Sequence, residues 1–252
     1  MAPAATLLRL SDAAAVAEAA AERLLGALAG SRPVGLATGR TMEPVYAALR
    51  RRLAALPAQR RAELLAGWRS FNLDEYVGLA PSDPRSFAAA MATALAAPLE
   101  LRPGQLQLPD GSAPWPEQEA QRYAVAVAAA GGIGLQLLGL GSNGHVGFNE
   151  PPCGADAPCR CLELTPATAL QNAAAFGGDP AAVPRRAITL GMVEILAAEQ
   201  ILLVVTGAAK AEILRRALEE PPSAALPASW LLRHPQLTVL MDPPAASRLA
   251  LS

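Results

Sequence analysis

Apolar residues recur at helical spacing over residues 12–29, with Ser11 placed to cap the start and Gly30 just past the end. A short apolar run at 33–37 follows, then a polar turn at 38–41 and a second helical pattern near 43–55. Residues 68–73 read as a strand ending in D-E-Y at 74–76, and helical patterns return near 84–97 and 116–130. Further strands are expected at 133–140, 201–206 and 237–241, with a helix at 208–219 between the last two. The proline-rich pieces at 221–227 and 243–244 read as turns. Fully apolar strands alternating with helices predict an α/β fold: a doubly wound, mostly parallel sheet covered by helices on both faces, Rossmann-like and three-layered. With no repeat and no linker, residues 1–252 are expected to form a single domain.

In such sheets, ligands bind beyond the carboxyl ends of the strands. The polar segments expected there are 38–41, 74–76, 141–150 and 206–210, and they hold nearly all the chemically interesting side chains.

Composition narrows the class. Hydrophobic residues are 52% and charged residues 17%, with alanine responsible for much of the difference, so disorder is excluded. A net charge of −1 and a pI near 6.2 argue against a nucleic-acid surface. Residues 123–149 carry no Asp, Glu, Lys or Arg, yet seven glycines with Asn143 and His145 make them a strand and polar loop rather than a membrane span. The first residues lack the basic-then-apolar order of a secretory signal, and Cys153, Cys159 and Cys161 are too few and too close for a zinc site. Reduced thiols in a cytoplasmic protein are expected, a reversible Cys153–Cys159 disulfide being the alternative. Lys210 is the only lysine among 21 Lys+Arg, and there are two histidines, His145 and His234.

Residues 139–144, G-L-G-S-N-G, match the dinucleotide fingerprint, but Pro151, Pro152, Gly154 and Pro158 forbid the helix that motif must open. NAD is therefore not expected. The following G-H-V-G-F-N-E-P at 144–151 is more informative. It sets His145 and Glu150 in one loop, where a carboxylate accepting from the imidazole would fix its tautomer, and Asn143 would orient the pair without adding charge. His234, outside every motif, reads as structural.

S-F-N-L-D-E-Y-V-G-L at 70–79, together with residues 139–151, resembles the glucosamine-6-phosphate deaminase family, which is related to the 6-phosphogluconolactonases. G-L-A-T-G-R-T at 35–41 is similar to the family's phosphate loop, and residues 183–191 and G-A-A-K at 207–210 match in order and spacing. The D-G-H-x-A-S-L-F-P type of loop found in the lactonases is missing.

The resemblance implies conversion of glucosamine 6-phosphate and water to fructose 6-phosphate and ammonia, without metal or organic cofactor. His145, oriented by Glu150 and Asn143, would open the sugar ring. Asp74 would take the C2 proton and return one at C1, with Glu75 in support. Thr38, Gly39, Arg40, Thr41 and Lys210 would hold the phosphate, and residues 164–184 would form a mobile lid. Two departures stand out: the family lid carries an arginine where this chain has Ala174, and the phosphate loop usually reads T-G-G-T-P where this chain has T-G-R-T-M. Arg40 is the expected replacement charge. Larger members have an allosteric site; here position 162 is Leu and the chain ends soon after Asp242, so no activation is expected, and a monomer or small homo-oligomer is. The alternatives are a galactosamine-6-phosphate deaminase, a 6-phosphogluconolactonase, or a non-catalytic sugar-phosphate sensor.

Overall fold

The structure is a computed structural model that describes residues 5–250. Its elements run β1 (Thr6–Arg9), α1 (Ala13–Ala27), β2 (Val34–Leu36), α2 (Met42–Ala54), α3 (Ala58–Ala66), β3 (Ser70–Asn72), β4 (Asp74–Tyr76) and α4 (Phe87–Met91). There follow β5 (Leu106–Gln107), α5 (Pro116–Ala129), β6 (Leu135–Gly139), β7 (Arg160–Glu163), α6 (Pro166–Asn172), β8 (Arg186–Thr189), α7 (Met192–Leu196), β9 (Gln200–Val205), α8 (Ala211–Glu219) and β10 (Leu237–Met241). Seven strands form one parallel sheet in the order β1-β10-β9-β6-β2-β3-β5, and β4, β8 and β7 form a second, antiparallel sheet. β2 and β3 are buried throughout and β9 is buried beyond Gln200, the signature of a sheet covered on both faces.

The topology fixes where a ligand can sit. From β2 the chain moves outward to β3 and β5, then crosses back to β6 and proceeds the other way to β9 and β10. The order reverses between β2 and β6, and a crevice opens at the carboxyl ends of such neighbours.

Several boundaries differ from the sequence reading for identifiable reasons. Asp12, not Ser11, caps α1: its backbone is extended and its carboxylate accepts from the Ala15 N–H at 2.8 Å, where the helix dipole also favours negative charge. The Ser11 hydroxyl donates to Asp12 instead. The helix closes on Leu28, two residues before Gly30. The segment 68–76 is not one strand with a polar tail: β3 stops at Asn72, and Asp74–Tyr76 leaves to pair antiparallel with β8, with Asp74 opposite Thr189. The helix expected at 84–97 starts at Phe87 behind a Ser86 cap and widens into a π turn at Ala92–Ala96. β1 escaped notice because it is an exposed edge strand, and β5 is only two residues long.

The main core lies between the large sheet and its helices. A smaller one, built on Tyr76, Leu79, Phe148, Phe176 and Val183, sits under residues 164–184. There Tyr76 packs on Phe87, Phe148 and Phe176 at ring separations of 4.7, 5.4 and 5.5 Å.

Candidate active site

Four neighbouring strands, β9, β6, β2 and β3, end in the four segments that carry the candidate chemistry. β2 runs into residues 38–41, β3 into Asp74, β6 into the loop of Asn143, His145 and Glu150, and β9 into the turn of Lys210. The reversal point falls between β2 and β6, inside this group.

Asp74 is buried and, among the described residues, its Oδ1 has no hydrogen-bond partner. Burial, with the adjacent Glu75 charge adding to it, pushes its carboxyl up to about 8. A buried carboxyl left unpaired costs stability and persists where it has work to do. Glu75 points elsewhere. Its carboxylate accepts from the backbone N–H groups of Tyr76 (2.8 Å), Phe87 (3.0 Å) and Ala88 (2.7 Å), anchoring the start of α4 to β4. Two adjacent acids thus divide into a free group and a structural one.

His145 is held by Asn143. Asn143 Oδ1 accepts from the His145 backbone N–H at 3.2 Å and lies 2.6 Å from Nδ1. A backbone N–H can only donate, so the shared atom is the oxygen, and that oxygen requires a proton on Nδ1. Nε2 is left with a free lone pair. Burial holds the imidazole down to about 4, so the ring is neutral near pH 7. Gly141 makes room for it: a Cβ there would lie 2.3 Å from Cδ2, Cε1 and Nε2 of His145. The second glycine of the apparent dinucleotide motif therefore admits an imidazole, not a pyrophosphate, and no helix follows until Pro166.

Glu150 corrects an expectation. It makes no hydrogen bond to His145 and acts on it only through its charge. Its carboxylate accepts from Thr165 N (3.0 Å), Thr165 Oγ1 (2.6 Å) and Thr168 Oγ1, tying the loop after β6 to the first turn of α6. A buried carboxylate takes the nearest donors, and the backbone N–H and hydroxyls of the α6 cap outnumber one ring nitrogen. Ser142 Oγ adds a second tie, donating to Gln171 Oε1 at 2.6 Å.

Thr38, Gly39, Arg40 and Thr41 form a tight turn closed by Met42 N–H on Gly39 O at 2.8 Å. Gly39 sits at φ +122°, a backbone that side-chain-bearing residues rarely adopt. Thr41 caps α2 without a side-chain bond, so the N–H groups of the first turn keep no side-chain acceptor. Tyr46 steadies this turn from below, donating to Ala37 O at 2.5 Å and accepting from Ala37 N at 3.2 Å. Across β6, both carboxylate oxygens of Asp242 accept the Gly207 N–H at 3.0 Å and fix the turn that presents Lys210. Lys210 is half-buried, and burial followed by the charge of Arg40 draws its ammonium below the usual lysine range.

Tyr46, Asp242, Thr165 and Thr168 were missed from sequence, because each acts through a partner distant along the chain. Only the T-P-A-T pattern of a helix start at 165–168 offered a local signal. His234 is structural as expected, its Nε2 2.8 Å from the Ala198 carbonyl and Nδ1 accepting from Gln236 N–H. Cys153 and Cys159 are free and buried, and burial raises both thiols. Among the described residues no cluster of three or more His, Cys, Asp or Glu is arranged to hold a metal, and no helix is long and apolar enough to cross a membrane.

A Rossmann-like sheet with acid–base side chains at its reversal point, and two cations on the turns either side of β6, defines an α/β protein built for small anionic metabolites. A family profile described as glucosamine-6-phosphate isomerases/6-phosphogluconolactonase matches residues 10–240, and the chain belongs to that family. A glucosamine-6-phosphate deaminase from Rhodopirellula baltica is 42% identical over 216 residues, covering 86% of this chain and 84% of its own. One from Beutenbergia cavernae is 39% identical, covering 96% and 91%. A solved monomeric glucosamine-6-phosphate deaminase superposes with a TM-score of 0.89 at 33% identity, covering 96% of this chain and 99% of that one. A 6-phosphogluconolactonase from Leishmania guyanensis reaches a TM-score of 0.74 at 22% identity, covering 98% of this chain and all of that one, which speaks to the fold alone.

Proposed function

We propose that the protein is a glucosamine-6-phosphate deaminase, converting glucosamine 6-phosphate and water to fructose 6-phosphate and ammonia. The carrying observation is Asp74: a buried carboxyl with an unpartnered oxygen at the carboxyl end of β3, in a chain about 40% identical to proteins of that name.

The closed sugar must first open, which moves a proton from O1 to O5. His145 suits this step because it is neutral with a free Nε2 lone pair, and Asn143 fixes that tautomer. The Asp74 carboxylate then takes the C2 proton of the open-chain aldehyde, leaving an enolamine. Returning a proton to C1 gives the 2-imine, and one carboxyl reaches both neighbouring carbons. Water adds to C2 and ammonia leaves, so the overall change is hydrolytic. Thr38, Gly39, Arg40, Thr41 and Lys210 take the phosphate, and residues 164–184 are a lid tied down by Glu150. We read residues 1–252 as one domain and the enzyme as a cytoplasmic monomer or small homo-oligomer. The free buried thiols and the likeness to a deaminase described as monomeric support that reading.

A substrate panel tests the assignment. Ammonia and fructose 6-phosphate should appear in equal amounts from glucosamine 6-phosphate, with galactosamine 6-phosphate and 6-phosphogluconolactone turned over at least about a hundredfold less efficiently. Preference for either competitor would replace the reading.

A further inference from the structure

The chain changes sheets at Leu73. Its N–H donates to Leu36 O of β2 at 2.8 Å, and its carbonyl accepts from the Leu190 N–H, just past β8, at 2.8 Å. Asp74 therefore follows a single residue shared between the parallel and the antiparallel sheet. The ladder to β8 leaves its own carbonyl unheld. β4 is the edge strand of the small sheet, and the bonds on either side of Asp74 are made by Leu73 and by Val77, whose N–H donates to Arg186 O at 2.9 Å. Bonded and non-bonded residues alternate along an antiparallel pair, so Asp74, opposite Thr189, turns its carbonyl away from β8.

Asn72 supplies the missing donor. It is 1% exposed, and its Nδ2 donates to Asp74 O at 3.2 Å. Asn72 is itself held from the other side. Extending the register Ser70↔Leu106 puts Pro109 where β5 would next offer a donor to the Asn72 carbonyl, and proline has none. The Tyr123 hydroxyl takes that place, donating to Asn72 O at 2.7 Å. The other end of the amide is idle: among the described residues Oδ1 has no partner. A buried amide with an unpaired oxygen costs stability that an apolar residue of the same size would not, and the bond to Asp74 is what sets it apart from one.

We propose that Asn72 is a positioning residue for Asp74: its amide pins the Asp74 backbone where the chain changes sheets and so aims the Asp74 carboxyl at the crevice beyond β3.

The inference rests on the proposed function for its reaction, and a titration without substrate separates the two. Asn72→Ala would be assayed with glucosamine 6-phosphate, and the Asp74 carboxyl of the intact protein titrated by difference infrared spectroscopy, its band assigned by its loss in Asp74→Asn. Burial holds Tyr46, Tyr76 and Tyr123 above the usual tyrosine range, and Glu75 stays bonded to α4, so that band reports Asp74. In the wild type its midpoint should lie near 8. A released carboxyl can turn toward water, so in Asn72→Ala the midpoint should fall by about one pH unit or more. kcat should fall about ten- to a hundredfold with KM changed by less than about threefold, because aim rather than binding is lost. A residue that only supported the fold would lower the melting temperature and leave midpoint and kcat alone. Asn72→Ser, whose hydroxyl is too short to span the gap, should behave as Asn72→Ala and replaces it if that variant does not fold. An unmoved midpoint in a folded variant would overturn the proposal. If the wild type released no ammonia, the proposed function would fail while the midpoint still decided Asn72. If ammonia were released and the variants kept the wild-type kcat and midpoint, only the role of Asn72 would fail.

Discussion

Asp74 and Glu75 are adjacent in sequence and opposite in role, and backbone geometry separates them. In β4 successive side chains point to opposite faces, so Glu75 meets the N–H groups of α4 while Asp74 is left free. Freedom has a thermodynamic cost that depends on pH. Asp74 ionises near 3.8 in the unfolded chain but near 8 in the fold, so the fold favours its neutral form. Below 3.8 both states are protonated and nothing is lost. Between 3.8 and about 8 the unfolded state alone is ionised, and stability drops as pH rises. Asp74→Asn should therefore raise the melting temperature, by a margin that widens from pH 5 to pH 8 in thermal melts. A margin independent of pH would mean that Asp74 is not held neutral. The same titration predicts that kcat/KM of the wild type climbs toward pH 8 as the base ionises.

At the scale of elements, the proposed lid is joined to the loop after β6 by two side chains, Glu150 and Ser142. Glu150 joins the loop after β6 to the cap of α6, while Phe176 packs edge-on to Tyr76 beneath the other end of the lid. Glu150→Gln keeps the shape but loses the charge and one acceptor, and bonds to a charged group are worth about 1.5–3 kcal/mol. The lid should open more often: limited proteolysis within 164–184 should accelerate about tenfold or more, and KM should rise. Unchanged cleavage would show that Glu150 does not restrain it. The loop could be located from sequence, because glycines and prolines punctuate it, whereas the proposed lid came from the family resemblance alone. The bond between them could not, since fifteen residues separate Glu150 from Thr165 and the motif gave His145 as the nearer partner. The second sheet was hidden for a related reason: β4 follows β3 after a single residue, and only its pairing with β8 reveals that it turns away.

For the whole molecule, periodicity located the parallel strands well, because β2, β6, β9 and β10 are apolar almost throughout and their carboxyl ends carry the polar motifs. Strand order was not readable from the chain, and it is the order that sets β9, β6, β2 and β3 side by side. Positions 160 and 162, which the resemblance relates to the allosteric site of larger members, also belong to this scale. Arg160 is engaged within its own subunit, donating to Asn149 Oδ1 at 2.8 Å and to Pro158 O at 3.1 Å, and Leu162 lies in β7 opposite Ala187. Neither is placed as a free cation for an effector phosphate. Rate curves should be hyperbolic and unchanged by N-acetylglucosamine 6-phosphate at non-inhibitory concentrations; a sigmoidal curve made hyperbolic by that compound would refute this.

The central claim, that this fold deaminates an amino-sugar phosphate by moving a proton with Asp74, is tested most directly by isotope transfer. Glucosamine 6-phosphate deuterated at C2 would be supplied to the wild type and to Asp74→Asn, with ammonia and the deuterium content of fructose 6-phosphate measured together. The wild type should release one ammonia per fructose 6-phosphate, with the C2 deuterium carried to C1 or lost to solvent. Asp74→Asn, folded and more stable at pH 8, should be slower by about 10²–10⁴-fold. Turnover by Asp74→Asn within a few fold of the wild type, or ammonia released by the wild type without fructose 6-phosphate, would contradict the account.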